Sequence, residues 1–206
     1  IIFTSFGKNY TAPIIGNIVQ NSPAEQSGIL KYDKILYLNG NEINSYEDIY
    51  SILDETLYEK IQITIDRKGK QLDFELYPEH KTVNTFIGSE RDINYIGFEP
   101  LLEPLVSKVV KSSPAFQAGI KSKDKIVEIN SIKTLDIREV IFIIEKNPNK
   151  KLEFLILRDS NYLKINVIPN LKINEDGSKK GIIGVAFSRD RKKINLLNAI
   201  DESIKN

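Results

Sequence analysis

The chain has 206 residues, of which 41% are hydrophobic and 28% are charged, and its formal net charge at pH 7 is +1. This composition argues for a folded globular protein and against intrinsic disorder. The balanced charge provides no field that would attract a phosphate backbone, so we expect no nucleic-acid partner. The absence of cysteine excludes disulfides and thiolate sites.

The first predicted elements are a short helix and the strand after it. Ser22 and Pro23 are typical of the first positions of a helix, and Glu25 stands where it would complete a capping box. Gly28 suits the left-handed conformation that ends a helix. An alternating strand is predicted after Asp33.

A longer helix and a hairpin come next in the chain. Ser45, with Asp48 three residues later, predicts the start of the helix, and its buried face follows at Ile49, Ile52 and Leu53. The runs 61–67 and 72–77 flank a turn at residues 68–70, which predicts a hairpin.

The same series of elements returns in the second half. Pro114 follows Pro23 by 91 positions (114 − 23 = 91), and the same offset relates the strands, helices and turns of the two halves. The second long helix begins at Asp136, and its apolar residues are Ile137, Val140, Ile141 and Ile144. We therefore expect two tandem domains of α+β, mainly β fold, each a small, partly open β-sandwich or barrel with two helices.

The repeated pattern resembles the circularly permuted PDZ domains of bacteria. The resemblance is carried by the Ser-Pro-Ala helix that ends at Gly119, by the strand 124–130, and by the loop 95–98 with its Ile-Gly-Phe motif. It predicts a first domain at 1–80, a linker at 81–92, a second domain at 93–172, and a C-terminal hairpin strand and amphipathic segment at 173–206.

A PDZ domain binds a peptide end between a strand edge and its long helix, and backbone N–H groups of a loop hold the carboxylate. The resemblance implies that Ile96, Gly97, Phe98, Ile137 and Ile141 bind peptide in the second domain. We expect the ligand to end in an apolar residue.

The counterparts in the first domain are less well matched to a ligand. They are Phe6 and Gly7 in the loop, and Tyr46 and Tyr50 on the helix. The two tyrosine rings would crowd this groove or donate hydrogen bonds within it. The first groove is therefore expected to bind peptide more weakly, to be closed, or to serve as a contact surface.

Residues 181–185 and the apolar stretch 195–200 extend the resemblance to RseP-type site-2 intramembrane zinc metalloproteases. In that family a tandem PDZ region screens substrates outside the membrane. The resemblance implies a regulatory region that docks or size-filters trimmed membrane proteins such as an anti-sigma factor. It also implies a place on the periplasmic face of the inner membrane, within a multi-pass protein whose membrane helices flank this region.

The chain contains no methionine, so we expect an internal piece of a longer protein that is monomeric by itself. The longest apolar run, 140–144, is far short of the roughly 20 residues that span a bilayer. The apolar stripe within 194–204 either lies on lipid or docks on the second domain.

The zinc ligands of this family come from an H-E-x-x-H motif, which does not occur in this chain. The resemblance therefore implies that zinc is bound by another part of the parent protein. His80 lies in a polar stretch and is interpreted as solvated, so we expect no cofactor, metal site or catalytic residue in this chain. A Ser–Lys dyad at 107–108 or 122–123 is disfavoured, because adjacent strand residues face opposite ways. The alternative function is the PDZ tail of an HtrA-type serine protease, or a secretion-system PDZ adaptor.

Overall fold

The computed structural model describes residues 11–55, 57–84 and 90–188, which form two units, 11–101 and 102–188. The elements of the first unit are β1 (Ile15–Ile18), α1 (Pro23–Ser27), β2 (Lys34–Leu38), β3 (Asn41–Glu42), α2 (Tyr46–Glu55), β4 (Ile61–Arg67), β5 (Lys70–Leu76), β6 (Glu79–Asn84), β7 (Glu90–Tyr95) and β8 (Phe98–Pro100). Those of the second unit are β9 (Val106–Val109), α3 (Pro114–Gln117), β10 (Lys125–Ile129), β11 (Ile132–Lys133), α4 (Ile137–Glu145), β12 (Leu152–Arg158), β13 (Asn161–Val167), β14 (Asn170–Ile173), β15 (Lys179–Ile182) and β16 (Val185–Phe187).

Each unit contains a four-stranded antiparallel sheet with the same order and register. The order is β3-β2-β4-β5 in the first unit and β11-β10-β12-β13 in the second. Ile35 pairs with Ile65, and the residues 91 positions later, Ile126 and Ile156, pair in the same way. The predicted fold class is therefore confirmed: the described residues are mainly β, with two helices in each unit.

A second, two-stranded sheet joins the last strand of each unit to its first. β8 pairs antiparallel with β1, and β16 pairs antiparallel with β9. The hairpins β6–β7 and β14–β15 lead into these last strands. The strand that closes each unit thus comes from the C-terminal end of that unit, as in a circular permutation.

This closure moves the boundary between the units. Residues 81–84 lie in β6 and residues 90–92 in β7, so the structure divides the chain after Leu101 and not at the predicted linker 81–92. The second unit likewise extends past 172, because β15 and β16 complete it. The predicted amphipathic segment within 194–204 lies outside the described residues.

The two long helices begin at the caps that the sequence predicts. Asp48 N–H donates to Ser45 Oγ at 3.3 Å, while the Ser45 N–H donates to the Asp48 carboxylate at 2.8 Å. Asp136 and Glu139 form the same reciprocal capping box at α4. Glu25 differs from its prediction, since its carboxylate accepts from the N–H of Asn21, one residue before the cap, at 2.6 Å.

Each unit has its own apolar core, which the helices cover. α2 buries Ile49, Ile52 and Leu53, and α4 buries Val140 and Ile144. Full burial of one such side chain contributes about 1.5–3 kcal/mol relative to exposure. No helix among the described residues combines the length and apolarity needed to cross a membrane.

A buried ion pair ties the short helix to the main sheet in both units. The Arg158 guanidinium donates to both carboxylate oxygens of Asp124 at 2.7 Å, and to the Gly119 carbonyl after α3 at 2.8 Å. Arg67 makes the same three bonds to Asp33 and to Gly28. The hydrogen bond that the guanidinium donates to Asp124 raises the pKa of Arg158.

Breaking this pair is expected to unfold the unit that contains it. Asp124 is fully buried, whereas the Arg158 side chain is 22% exposed. Asp124→Asn therefore weakens charged hydrogen bonds without leaving a fully buried charge, and is expected to cost about 1.5–3 kcal/mol. Hydrogen-exchange mass spectrometry should show faster exchange across 102–188, and Asp33→Asn should do the same across 11–101. Glu153→Gln is the control, because it breaks an exposed pair with Lys164 and should leave exchange unchanged. Equal effects of Asp124→Asn and Glu153→Gln would contradict a structural role for the buried pair.

Candidate functional site

The loop before β8 is attached to the start of the first unit through its carbonyl groups. The Ile96 carbonyl accepts from Ala24 N–H at 2.9 Å, and the Gly97 carbonyl accepts from Val19 N–H at 2.8 Å. The described peptide bonds are trans, so each N–H points opposite to the carbonyl of its own peptide group. The N–H groups of Gly97 and Phe98 are therefore turned away from α1.

The loop before β16 has the same attachment in the second unit. The Ile183 carbonyl accepts from Ala115 N–H at 2.9 Å, and the Gly184 carbonyl accepts from Val110 N–H at 2.8 Å. The N–H groups of Gly184 and Val185 are consequently turned away from α3. Successive outward N–H groups of this kind form a site for an anion such as a carboxylate.

Glycine is required in both loops, for two independent reasons. Gly97 and Gly184 have φ angles of +81° and +77°, which disfavour residues with a side chain. In addition, a Cβ on Gly97 would stand 2.1 Å from the Ser22 Cβ, and one on Gly184 would stand 2.4 Å from the Ser113 Cβ. The loop can therefore reach the cap of the short helix only if this position has no side chain.

The last strand of each unit has one open edge among the described strands. Among the strands that the structure describes, β8 pairs with β1 alone and β16 pairs with β9 alone. Carbonyl and N–H groups along a strand alternate between its two edges. Because the Gly97 and Gly184 carbonyls face the paired edge, the backbone groups of Phe98 and Val185 face the open edge.

In the first unit α2 lies beside this open edge. The Tyr46 hydroxyl, at the start of the helix, donates to the Phe98 carbonyl at 3.0 Å. The Tyr46 ring packs edge-on against the rings of Phe98 and Tyr50, with centroid distances of 6.1 and 5.3 Å. Tyr46 is 2% exposed, whereas Tyr50, one turn further along the helix, is 51% exposed.

In the second unit two isoleucines take the places of these tyrosines. The N–H of Ile137 bonds to the Leu102 carbonyl at 2.8 Å, just as the N–H of Tyr46 bonds to the Thr11 carbonyl at 2.8 Å. Ile137 is half-buried and Ile141 is 38% exposed. These residues have no hydroxyl, so the carbonyl of Val185 receives no such bond from α4.

The structure corrects one part of the predicted site. Ile96, Gly97 and Phe98 lie in the first unit beside Tyr46, so they do not share a groove with Ile137 and Ile141. The prediction placed the loop before the first strand of its unit, whereas the pairing of β8 with β1 places it at the end. Phe6 and Gly7 lie outside the described residues.

The loop of the second unit is 183–185, which the sequence analysis used only as a sign of the protein class. Its Ile-Gly-apolar motif repeats residues 96–98 at an offset of 87 (184 − 97 = 87), and this second offset is the signal that could have identified it.

The serines and the histidine considered as candidates in the sequence form hydrogen bonds with backbone carbonyls. The Ser107 hydroxyl donates to the Ala186 carbonyl at 3.0 Å, and the Ser122 hydroxyl donates to the Ser107 carbonyl at 2.8 Å. The Nε2 atom of His80 lies 3.1 Å from the Tyr58 carbonyl. Within the described ranges, no group of three or more His, Cys, Asp or Glu residues could hold a metal ion.

Comparison with known proteins finds a PDZ domain in each half of the chain. Two family profiles, both described as PDZ domain, match residues 2–77 and 105–158. The regulator of sigma-E protease RseP of Escherichia coli is 24% identical over 179 residues, which are 84% of this chain and 39% of that protein. A Campylobacter jejuni protein named "Putative zinc metalloprotease" is 40% identical over 79 residues, which are 38% of this chain and 21% of that protein. This chain therefore spans well under half the length of these relatives.

A solved structure, that of a PDZ domain protein from Parabacteroides distasonis, aligns with 88% of this chain and 97% of that chain. The sequence identity is 11% and the TM-score is 0.29.

The glycine contact in the second unit can be tested by one substitution and two controls. Gly184→Ala should displace β16 from β9, because the new Cβ would collide with Ser113. Gly177→Ala isolates the backbone strain, about 1–2 kcal/mol, since Gly177 has φ of +78° and nothing within 4 Å of its added Cβ. Thermal unfolding should show a larger loss for Gly184→Ala than for Gly177→Ala, and Ser113→Gly/Gly184→Ala should recover the difference. Equal losses for the two single variants would contradict the close packing.

Proposed function

Because the chain belongs to the PDZ family, as two PDZ domains in tandem, we propose that its second unit binds the C-terminal end of a peptide by strand addition along β16. The observation that carries this proposal is the open edge of β16, which follows directly on a loop with two outward N–H groups. An added strand and a terminal carboxylate would use these two features together.

The backbone of β16 offers what an added strand needs. Val185 and Phe187 are two residues apart, so both present a carbonyl and an N–H at the open edge. The peptide carboxylate would accept from the N–H groups of Gly184 and Val185. The last side chain of the peptide would then lie beside Ile137 and Ile141 on α4, which favours an apolar residue at that position.

We further propose that the chain is the tandem PDZ region of a membrane-embedded zinc protease of the RseP kind. Its support is the alignment with Escherichia coli RseP, which extends over 84% of the chain. The names of the relatives favour such a parent over an HtrA-type serine protease. Zinc and its ligands would belong to other parts of the parent, and this region would supply substrate selection.

In this role the region would act on the periplasmic face of the inner membrane. A first cleavage of a membrane protein, such as an anti-sigma factor, creates a new C-terminus that carries a free carboxylate. The second unit would capture that end, because before cleavage the chain has no free carboxylate at this position.

The proposal predicts carboxylate-dependent binding of short peptides. The probes are fluorescein-labelled ten-residue peptides that end in Val, Leu, Ala or Asp, each with a free or an amidated C-terminus. The full chain should bind the peptides with apolar ends with a dissociation constant on the order of 10 μM, as a few backbone bonds and one filled pocket provide. Amidation should weaken binding at least roughly tenfold, because it removes the charge held by the N–H groups.

Two adjacent residues of α4 provide a matched pair of variants. Ile141→Asp places a charge in the groove and should abolish binding in fluorescence polarisation. Phe142→Asp makes the same change at the next residue, which is 62% exposed and points about 100° away around the helix, so affinity should be kept. Equal affinity for free and amidated peptides, or equal loss in both variants, would refute docking and leave the size filter as the role of this region.

A further inference from the structure

The first unit already satisfies the acceptor that a ligand strand would need. On the open edge of β8 this acceptor is the Phe98 carbonyl, and the Tyr46 hydroxyl donates to it at 3.0 Å. The Tyr46 ring is buried between α2 and β8, and it packs edge-on against the Phe98 ring. An incoming peptide N–H would have to displace both the hydroxyl and the ring.

The same edge also lacks a donor. Pro100 lies two residues after Phe98, so its backbone faces the open edge, and proline has no N–H to offer to an added strand. The register of the two units makes Phe187 the counterpart of Pro100, since Pro100 pairs with Ile15 and Phe187 pairs with Val106, the residue 91 positions after Ile15.

Two further bonds hold the far end of α2 and the residues after it against the strand that leads into the loop. The Asn94 side chain is buried, and its amide donates to the Leu53 carbonyl at 2.7 Å and accepts from Tyr58 N–H at 2.9 Å. In the second unit Gly181 stands at this place, against the Ile144 carbonyl, and has no side chain to form such a bond. α2 is thus bonded to the returning chain near both its ends.

We propose that the first groove is closed by the chain itself, through a latch formed by Tyr46 and Pro100, and that only the second unit is open to a strand. Tyr46 takes the place of the ligand's N–H, and Pro100 removes the next donor. With its groove closed by the latch, the first domain does not act as a second peptide receptor.

A reciprocal exchange of the two residue pairs tests the latch. Tyr46→Ile/Pro100→Phe gives the first unit the residues of the second, and Ile137→Tyr/Phe187→Pro does the reverse. The full chain, labelled with ¹⁵N, is titrated with the free-carboxylate peptides described above, and the amide shifts report which unit binds. The opened variant should gain a second site, with shifts in β8 and a stoichiometry that rises from one to two. The closed variant should lose binding at least tenfold, and Ile137→Tyr alone should show the same direction if the double variant fails to fold.

A measurement without peptide separates the latch from the proposed function. Tyr46→Phe removes only the hydroxyl bond and should speed amide exchange in the first unit by about fivefold, as the loss of one hydrogen bond does. Tyr37→Phe, at an exposed position of the same unit, should have no effect. If no peptide binds either unit, the proposed function fails, while this comparison still decides on the hydroxyl bond.

Three results would overturn the latch. The first is binding of the same peptides by the first unit of the unmodified chain. The second is equal exchange rates in Tyr46→Phe and Tyr37→Phe. The third is an opened variant that stays folded and gains no second site.

Discussion

Both units depend on one close contact, between the glycine of the returning loop and the serine that caps the short helix. Gly97 packs against Ser22, and Gly184 packs against Ser113. The contact is so close that a Cβ on either glycine would collide with the serine side chain. The contact lets the flanking carbonyls bond to the start of the unit, and a trans peptide then turns the N–H groups outward. The attachment of the last strand and the proposed carboxylate site are therefore the same feature, and a side chain at the glycine would remove both.

The sequence was sufficient to predict the repeated part of each unit. Caps such as Ser45 and Asp136, the apolar spacing of the long helices and the turn residues are local signals, and the offset of 91 confirmed each of them in the other copy. β8 was not predicted, and β16 was expected only as part of a C-terminal hairpin strand within 173–206, because three residues are too short to show a strand period. The loops before these strands repeat at an offset of 87, whereas the earlier elements repeat at 91. An alignment of the two halves at 91 therefore does not bring the loops together.

Of the two sides of the candidate site, the sequence therefore indicated only the helix positions. The positions of Ile137, Ile141, Tyr46 and Tyr50 on the long helices follow from helical spacing, and the structure places them on α4 and α2. The strand opposite each helix is distant in sequence: Tyr46 and Phe98 are 52 residues apart. No local pattern indicates which helix such a strand returns to, so the loop was assigned to the wrong unit, and the acceptor of the Tyr46 hydroxyl could not be named.

The two units share the same backbone fold and differ in the side chains that it carries. α2 is held by Tyr46 and by the buried Asn94, whereas the corresponding residues of the second unit are Ile137 and Gly181. The Lys180–Glu145 ion pair does link β15 to α4 at 2.8 Å, but both side chains are more than a third exposed. Such a pair contributes little, so α4 is held mainly by its buried Val140 and Ile144 and by the bond from the Ile137 N–H to the Leu102 carbonyl. The same duplication can therefore retain the scaffold in both copies, while the groove that we propose for peptide is open in only one.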